Sequence, residues 1–153
     1  MNVEQLMQHV DPSLWIGNLS ARNKDEALQK LTEALVSSGK VKNGAVILEM
    51  LRNREALGST AVGSGVAFPH GRSVAISDLI ILVARSPKGV DFDSIDGEKT
   101  KLFFLLLAPP QDRGNVYLQA LGVITGLVQR DEVREKLLKA ANFDAMMTVL
   151  KEA

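Results

Sequence analysis

The sequence predicts an α/β fold in which a single mixed sheet is sandwiched by helices on both faces. Two apolar runs, Leu79–Ala84 and Leu102–Ala108, are continuous rather than alternating, as central strands are when both faces are covered. Segments with apolar residues at helical spacing lie before and after them. Helix and strand signals are interleaved, with no internal repeat, low-complexity segment or linker, which is the order of a layered α/β sandwich. With 153 residues, 46% of them hydrophobic, the chain suits one domain over residues 1–153.

Taken in order, residues 3–10 read as a short helix stopped by Asp11-Pro12, and Leu14–Leu19 as a strand. Asn23, with Glu26 three positions on, resembles a capping box. Ala27, Leu28, Leu31, Ala34 and Leu35 then mark the buried stripe of a helix that Gly39 closes. A second helix begins near Asn43 and buries Ile47, Met50 and Leu51. Arg54 lies seven residues after Ile47 and continues that inward stripe. Its stem could equally lie on apolar surface with the head in water. Between the apolar runs, Gly89 and Asp96-Gly97 read as turns. After Pro109-Pro110 a helix is predicted from Asn115 to Gln129, with Tyr117, Leu121, Ile124 and Val128 on one face. Gly122 and Gly126 each cost that helix about 1 kcal/mol, so close packing on the sheet is expected at both. Helices over Val133–Ala140 and Asp144–Lys151 finish the chain.

Composition narrows the function. Eighteen basic residues balance eighteen acidic ones, so there is no electrostatic footprint for nucleic acid or an anionic membrane surface. The absence of cysteine excludes disulfides, thiolate metal sites and cysteine nucleophiles. Two histidines alone leave no zinc site, His9 reads as a surface residue, and no cofactor is expected. The N-terminus has no basic and apolar regions of a secretory signal, and neither apolar run approaches the roughly 20 residues of a spanning helix. A cytoplasmic protein is the expectation.

The chemistry concentrates between Arg54 and Arg72, RE-ALGSTAVGSGVAFPHGR. Gly58, Gly63 and Gly65 allow close backbone approach, so several N–H groups could converge on an anion. Pro69 fixes φ before His70 and Gly71 carries no Cβ after it, so an imidazole is presented at a strand end. Its neutral form offers a nucleophilic lone pair near pH 7. The bland alternative is a buried, hydrogen-bonded histidine in a tight turn. A Ser59, His70 and Asp93 hydrolase can be assembled on paper, but no nucleophile elbow supports it.

This stretch resembles the active-site segment of the IIA domains of the bacterial phosphoenolpyruvate-dependent phosphotransferase system, of the fructose/mannitol and nitrogen-regulatory type. Arg54, Glu55, Gly58, Ser59, Thr60, Gly63, Gly65, Ala67, Pro69, His70 and Gly71 meet that family's pattern. A second segment, Val90-Asp91-Phe92-Asp93-Ser94-Ile95-Asp96-Gly97, followed by the run ending at Ala108-Pro109, fits it too. The resemblance implies an IIA mannitol/fructose-like fold and a phosphocarrier, a phosphotransferase component rather than a stand-alone metabolic enzyme. His70 would accept the phosphoryl group, on Nε2, from HPr or a nitrogen-branch relative. It would pass the group to a IIB partner, or its phosphorylation state would regulate a target. Arg54, the Ser59 and Thr60 hydroxyls, and the backbone at Gly63, Gly65 and Gly71 would hold the phosphoryl oxygens. Glu55 would orient the turn or pair with Arg54. A chain standing free of other components leans towards the nitrogen branch rather than sugar transport.

One position departs from the pattern. Where the family carries a second active-site histidine, this chain has Tyr117. A phenol can donate one hydrogen bond to a phosphoryl oxygen but brings no positive charge. The alternative it favours is a regulatory protein–protein module that keeps the IIA fold without transferring phosphate. Tyr117 could also be simply the first core residue of its helix.

Overall fold

A computed structural model describes all residues 1–153. Helices α1 (Val3–Met7), α2 (Lys24–Ser37), α3 (Gly44–Ala56), α4 (Val116–Val128), α5 (Asp131–Lys139) and α6 (Phe143–Glu152) flank one six-stranded sheet. Its strands are β1 (Trp15–Ile16), β2 (Ala61–Gly63), β3 (Val66–Ala67), β4 (His70–Arg72), β5 (Ile80–Val90) and β6 (Thr100–Ala108). They run in the order β1-β5-β6-β3-β2, and β4 also pairs with β6. The sheet is mixed: β5 and β6 are antiparallel, while β1 lies parallel to β5 and both β3 and β4 lie parallel to β6.

The continuous apolar runs resolve into two alternating sets. Leu102, Phe104, Leu106 and Ala108 of β6, with Ile81 and Val83 of β5, join the core under α4, α5 and α6. Phe103, Leu105 and Leu107, with Ile80, Leu82 and Ala84, join a second core under α2 and α3. Successive side chains of a strand point to opposite faces, and here both faces are covered, so neither set needs a polar partner. Each fully buried Leu or Phe contributes about 1.5–3 kcal/mol.

Several boundaries move. The first helix ends at Met7, and a 3-10 turn over Pro12–Leu14 follows. Asp11 accepts the amide of Ser13 there. The strand expected over Leu14–Leu19 shortens to Trp15–Ile16. Beyond it, Leu19 N–H donates to Arg85 O at 2.8 Å and Gly17 O accepts from Arg85 Nε at 3.0 Å, which continues the contact with β5. Asn23 caps α2 by accepting Glu26 N–H at 2.9 Å. The Glu26 carboxylate goes to Arg22 instead of back to Asn23, so the box is half formed. Gly89 lies inside β5, where the register shifts between Arg85 and Val90, and marks a bulge rather than a turn. Gly122 and Gly126 are exposed, and a Cβ at either would meet nothing within 4 Å. No close packing explains them.

Candidate functional site

Strand β4 is three residues long, and its pairing decides the site. His70, Gly71 and Arg72 lie beside Leu106, Leu107 and Ala108 of β6. Gly71 faces α3 so closely that a Cβ would fall 1.9 Å from Met50 Sδ. A side chain here would displace the Met50 thioether of α3 from the strand. His70 and Arg72, two residues apart, therefore share the opposite face. There the Tyr117 ring of α4 lies against both: its centroid is 6.0 Å from that of His70 and 4.7 Å from the Arg72 guanidinium.

Both ring nitrogens of His70 are engaged. Nδ1 is 2.7 Å from the Phe68 carbonyl oxygen, and Nε2 is 3.3 Å from Arg54 Nε. A carbonyl only accepts and a guanidinium only donates. The two contacts therefore define the neutral tautomer from both ends: the proton is on Nδ1 and the lone pair is on Nε2. Arg54 sits in the last turn of α3, where a cation complements the helix dipole. Its Nη1 donates to Gly58 O at 2.9 Å. Gly58 presents that carbonyl from a backbone conformation, φ 150°, that other residues rarely adopt.

Tyr117 is buried, and its hydroxyl donates to no group of the protein. Burial pushes the phenol up to about 12, while the charges of Arg72 and Arg54 pull the other way. Its backbone N–H donates to Asp112 Oδ2 at 2.7 Å, which anchors the start of α4. Arg72, which the sequence reading missed, donates to Pro109 O at 3.1 Å and lies 3.8 Å from Asp112 Oδ2. Its signal was its spacing, two residues after His70 on a strand.

The remaining expected donors are not brought to the imidazole. Ser59 Oγ donates to Phe92 O and accepts from Ala61 N–H. Thr60 donates both its hydroxyl and its amide to the Glu55 carboxylate. Glu55 pairs with Lys24 at 3.0 Å rather than with Arg54, so the part of that expectation that holds is its grip on the turn. The Gly63–Gly65 turn lies beside Lys101 and Leu102 of β6, because both donate to Gly65 O. His70 is paired with Leu106, four residues or roughly 13 Å along the strand. The turn does hold an anion, but it is the Asp96 carboxylate, which accepts Ser64 N–H at 3.1 Å. That carboxyl is held below its usual range by hydrogen bonds from Ser94 and then Glu98. Gly71 serves the packing of α3. The paper triad does not form, since Ser59 is engaged with Phe92 and Asp93 lies 3.6 Å from Lys24.

The fold is thus a mixed sheet between two helical layers, with a histidine at a short strand and an arginine on its lone-pair nitrogen, in a small α/β protein. The chain belongs to the family described as phosphoenolpyruvate-dependent sugar phosphotransferase system, EIIA 2, whose model matches residues 8–153. It is 37% identical over 142 residues to a nitrogen regulatory protein of Bradyrhizobium diazoefficiens, covering 92% of this chain and 91% of that one. It is 35% identical over 129 residues to the fructose-specific EIIA component of Haloferax volcanii, covering 84% and 83%. The chain spans only 21% of the length of another relative, the fructose-specific EIIABC component of Bacillus subtilis, at 30% identity over 88% of this chain.

Among solved structures, the nitrogen regulatory protein IIA-Ntr of Neisseria meningitidis superposes with a TM-score of 0.82 at 26% identity, covering 95% of this chain and 99% of that one. Enzyme IIAMTL of Escherichia coli, solved in complex with phosphorylated enzyme IIBMTL, shares the fold with a TM-score of 0.77 at 22% identity, covering 94% and 98%. The EIIA membership makes the chain a phosphotransferase-system component. No helix is long and apolar enough to cross a membrane.

Proposed function

We propose that residues 1–153 form one EIIA unit that carries a phosphoryl group on Nε2 of His70. The observation that carries this is the pair of contacts on the ring, Nδ1 on Phe68 O and Nε2 on Arg54. They leave the nucleophilic lone pair on the nitrogen that faces a guanidinium, where incoming negative charge is stabilised. The donor is the phosphohistidine of HPr or of a nitrogen-branch relative. Nε2 attacks phosphorus, the donor's P–N bond breaks, and the bonding pair returns to the donor's imidazole. Little covalent work is asked of the protein in such a transfer; alignment and charge stabilisation dominate.

Arg54 turns about its Gly58 anchor to admit the group, then donates to its oxygens. The acceptor is a IIB partner or, through regulation, another protein. The 37% identity over 92% of the chain to a nitrogen regulatory protein, beside 35% over 84% to a fructose-specific component, tilts the reading slightly to the nitrogen branch. Incubation with phosphoenolpyruvate, enzyme I and HPr, followed by intact mass, tests the proposal. One phosphate is expected, acid-labile and base-stable, and none in His70→Ala. An undiminished mass shift in that variant would overturn it. A wild-type chain that takes none while HPr is phosphorylated would favour the non-transferring regulatory module, the reading that the uncharged Tyr117 supports.

A further inference from the structure

We propose that Arg72 is a second phosphoryl-binding cation, held in reserve on the Tyr117 ring until His70 carries phosphate. The inference rests on the reading of His70 as phosphoryl acceptor. A phosphoryl group brings about −1.5 to −2 charges near pH 7, and Arg54 supplies only one positive charge against them. Arg72 is two residues from His70 on the same strand face, and the two side chains share one aromatic platform.

The present ties of Arg72 are loose. Its side chain is 34% exposed, Asp112 lies 3.8 Å away, beyond hydrogen-bond distance, and Pro109 O takes a single N–H. Asp112 is itself occupied by the start of α4 through Tyr117 N–H. A guanidinium has five N–H donors, so most of those of Arg72 are uncommitted. The charged and titratable groups linked to His70, directly or through one another, are Arg54 from α3, Tyr117 from α4, Arg72 from β4 against the Tyr117 ring, and Asp112 beside Arg72. Both arginines act on the Tyr117 phenol, so a phosphoryl group near that hydroxyl lies in both fields. On phosphorylation Arg72 keeps its stack on the ring and turns its free N–H groups from Asp112 to the phosphoryl oxygens.

The test compares wild type, Arg72→Gln and Arg72→Lys, with phosphorylated HPr as donor. Initial uptake should fall about tenfold in Arg72→Gln, the loss of one charge-assisted hydrogen bond, and recover in part in Arg72→Lys. The isolated phosphoproteins are then titrated by 31P NMR. The phosphoryl protonation midpoint should lie higher in Arg72→Gln than in wild type, a shift that a merely structural role would not produce. Arg72→Lys carries the comparison with wild type if Arg72→Gln does not fold; its uptake should then fall below wild type, because a point charge lacks the planar fork. Wild-type uptake with equal rates and equal midpoints in the variants overturns the role of Arg72 alone. A wild-type chain that takes no phosphate at His70 overturns the reading of His70 and this inference with it.

Discussion

Arg54 bridges a glycine carbonyl and the lone-pair nitrogen of His70, with Nη1 2.9 Å from Gly58 O and Nε 3.3 Å from His70 Nε2. The guanidinium is thus anchored at one end and exchangeable at the other. Hydrogen bonds to charged groups contribute about 1.5–3 kcal/mol. Arg54→Ala should therefore slow phosphate uptake by about ten- to a hundredfold while the thermal midpoint changes little, since the side chain is only partly buried. Stopped-flow transfer from phosphorylated HPr, with thermal melts of both proteins, checks it; unchanged kinetics would return Arg54 to a packing role.

Tyr117→Phe keeps the ring beneath His70 and Arg72 but removes a hydroxyl that no protein group uses. A neutral hydrogen bond to a phosphoryl oxygen is worth about 1 kcal/mol. Uptake should slow by about fivefold, measured at neutral pH. If the variant matches wild type, Tyr117 is a platform only.

The same substitution has an alkaline signature. Burial raises the Tyr117 phenol to about 12 in the folded chain, against about 10 when unfolded. The folded state holds the proton more tightly, so the unfolded state gives it up first. Stability from this group is whole below pH 10 and is lost as pH rises from 10 to 12. Urea midpoints across pH 9–12 should fall more steeply for wild type than for Tyr117→Phe; parallel curves would show that the phenol is not perturbed.

Glu55 is the buried hub under the loop, its side chain only 3% exposed, accepting from Thr60 N–H, Thr60 Oγ1 and Lys24 Nζ. Glu55→Ala strands the two Thr60 donors and leaves the largely buried Lys24 ammonium only the more distant Asp93, at 3.6 Å. Loss of one partner of such a pair costs about 3–5 kcal/mol, so the urea midpoint should drop sharply. A drop of less than about 1 kcal/mol would mean that water replaces the carboxylate without penalty.

Local chemistry determined much of this protein from the sequence alone. Continuous apolar runs suited strands covered on both faces, and Asn23 and Asn43 suited helix starts, as found. Pro69 before His70 put the imidazole at a strand end, although the turn expected at Gly71 is strand β4 instead. Helical phase put Arg54 on the inward stripe, and the structure sets its Nε against His70 Nε2. Each of these depends on neighbours a few residues away, so each is legible in spacing. The tertiary structure decided which donors meet the imidazole. Ser59 and Thr60 sit in the same motif, yet their hydroxyls turn inward to Phe92 and Glu55, because a buried turn must satisfy its own polar groups first. Gly63 and Gly65 are near His70 in sequence but distant in space, because β3 and β4 pair with different parts of β6. That same register, with α4 laid across it, brings Arg72 and Tyr117 together over His70, a meeting between β4 and a helix more than forty residues further along the chain.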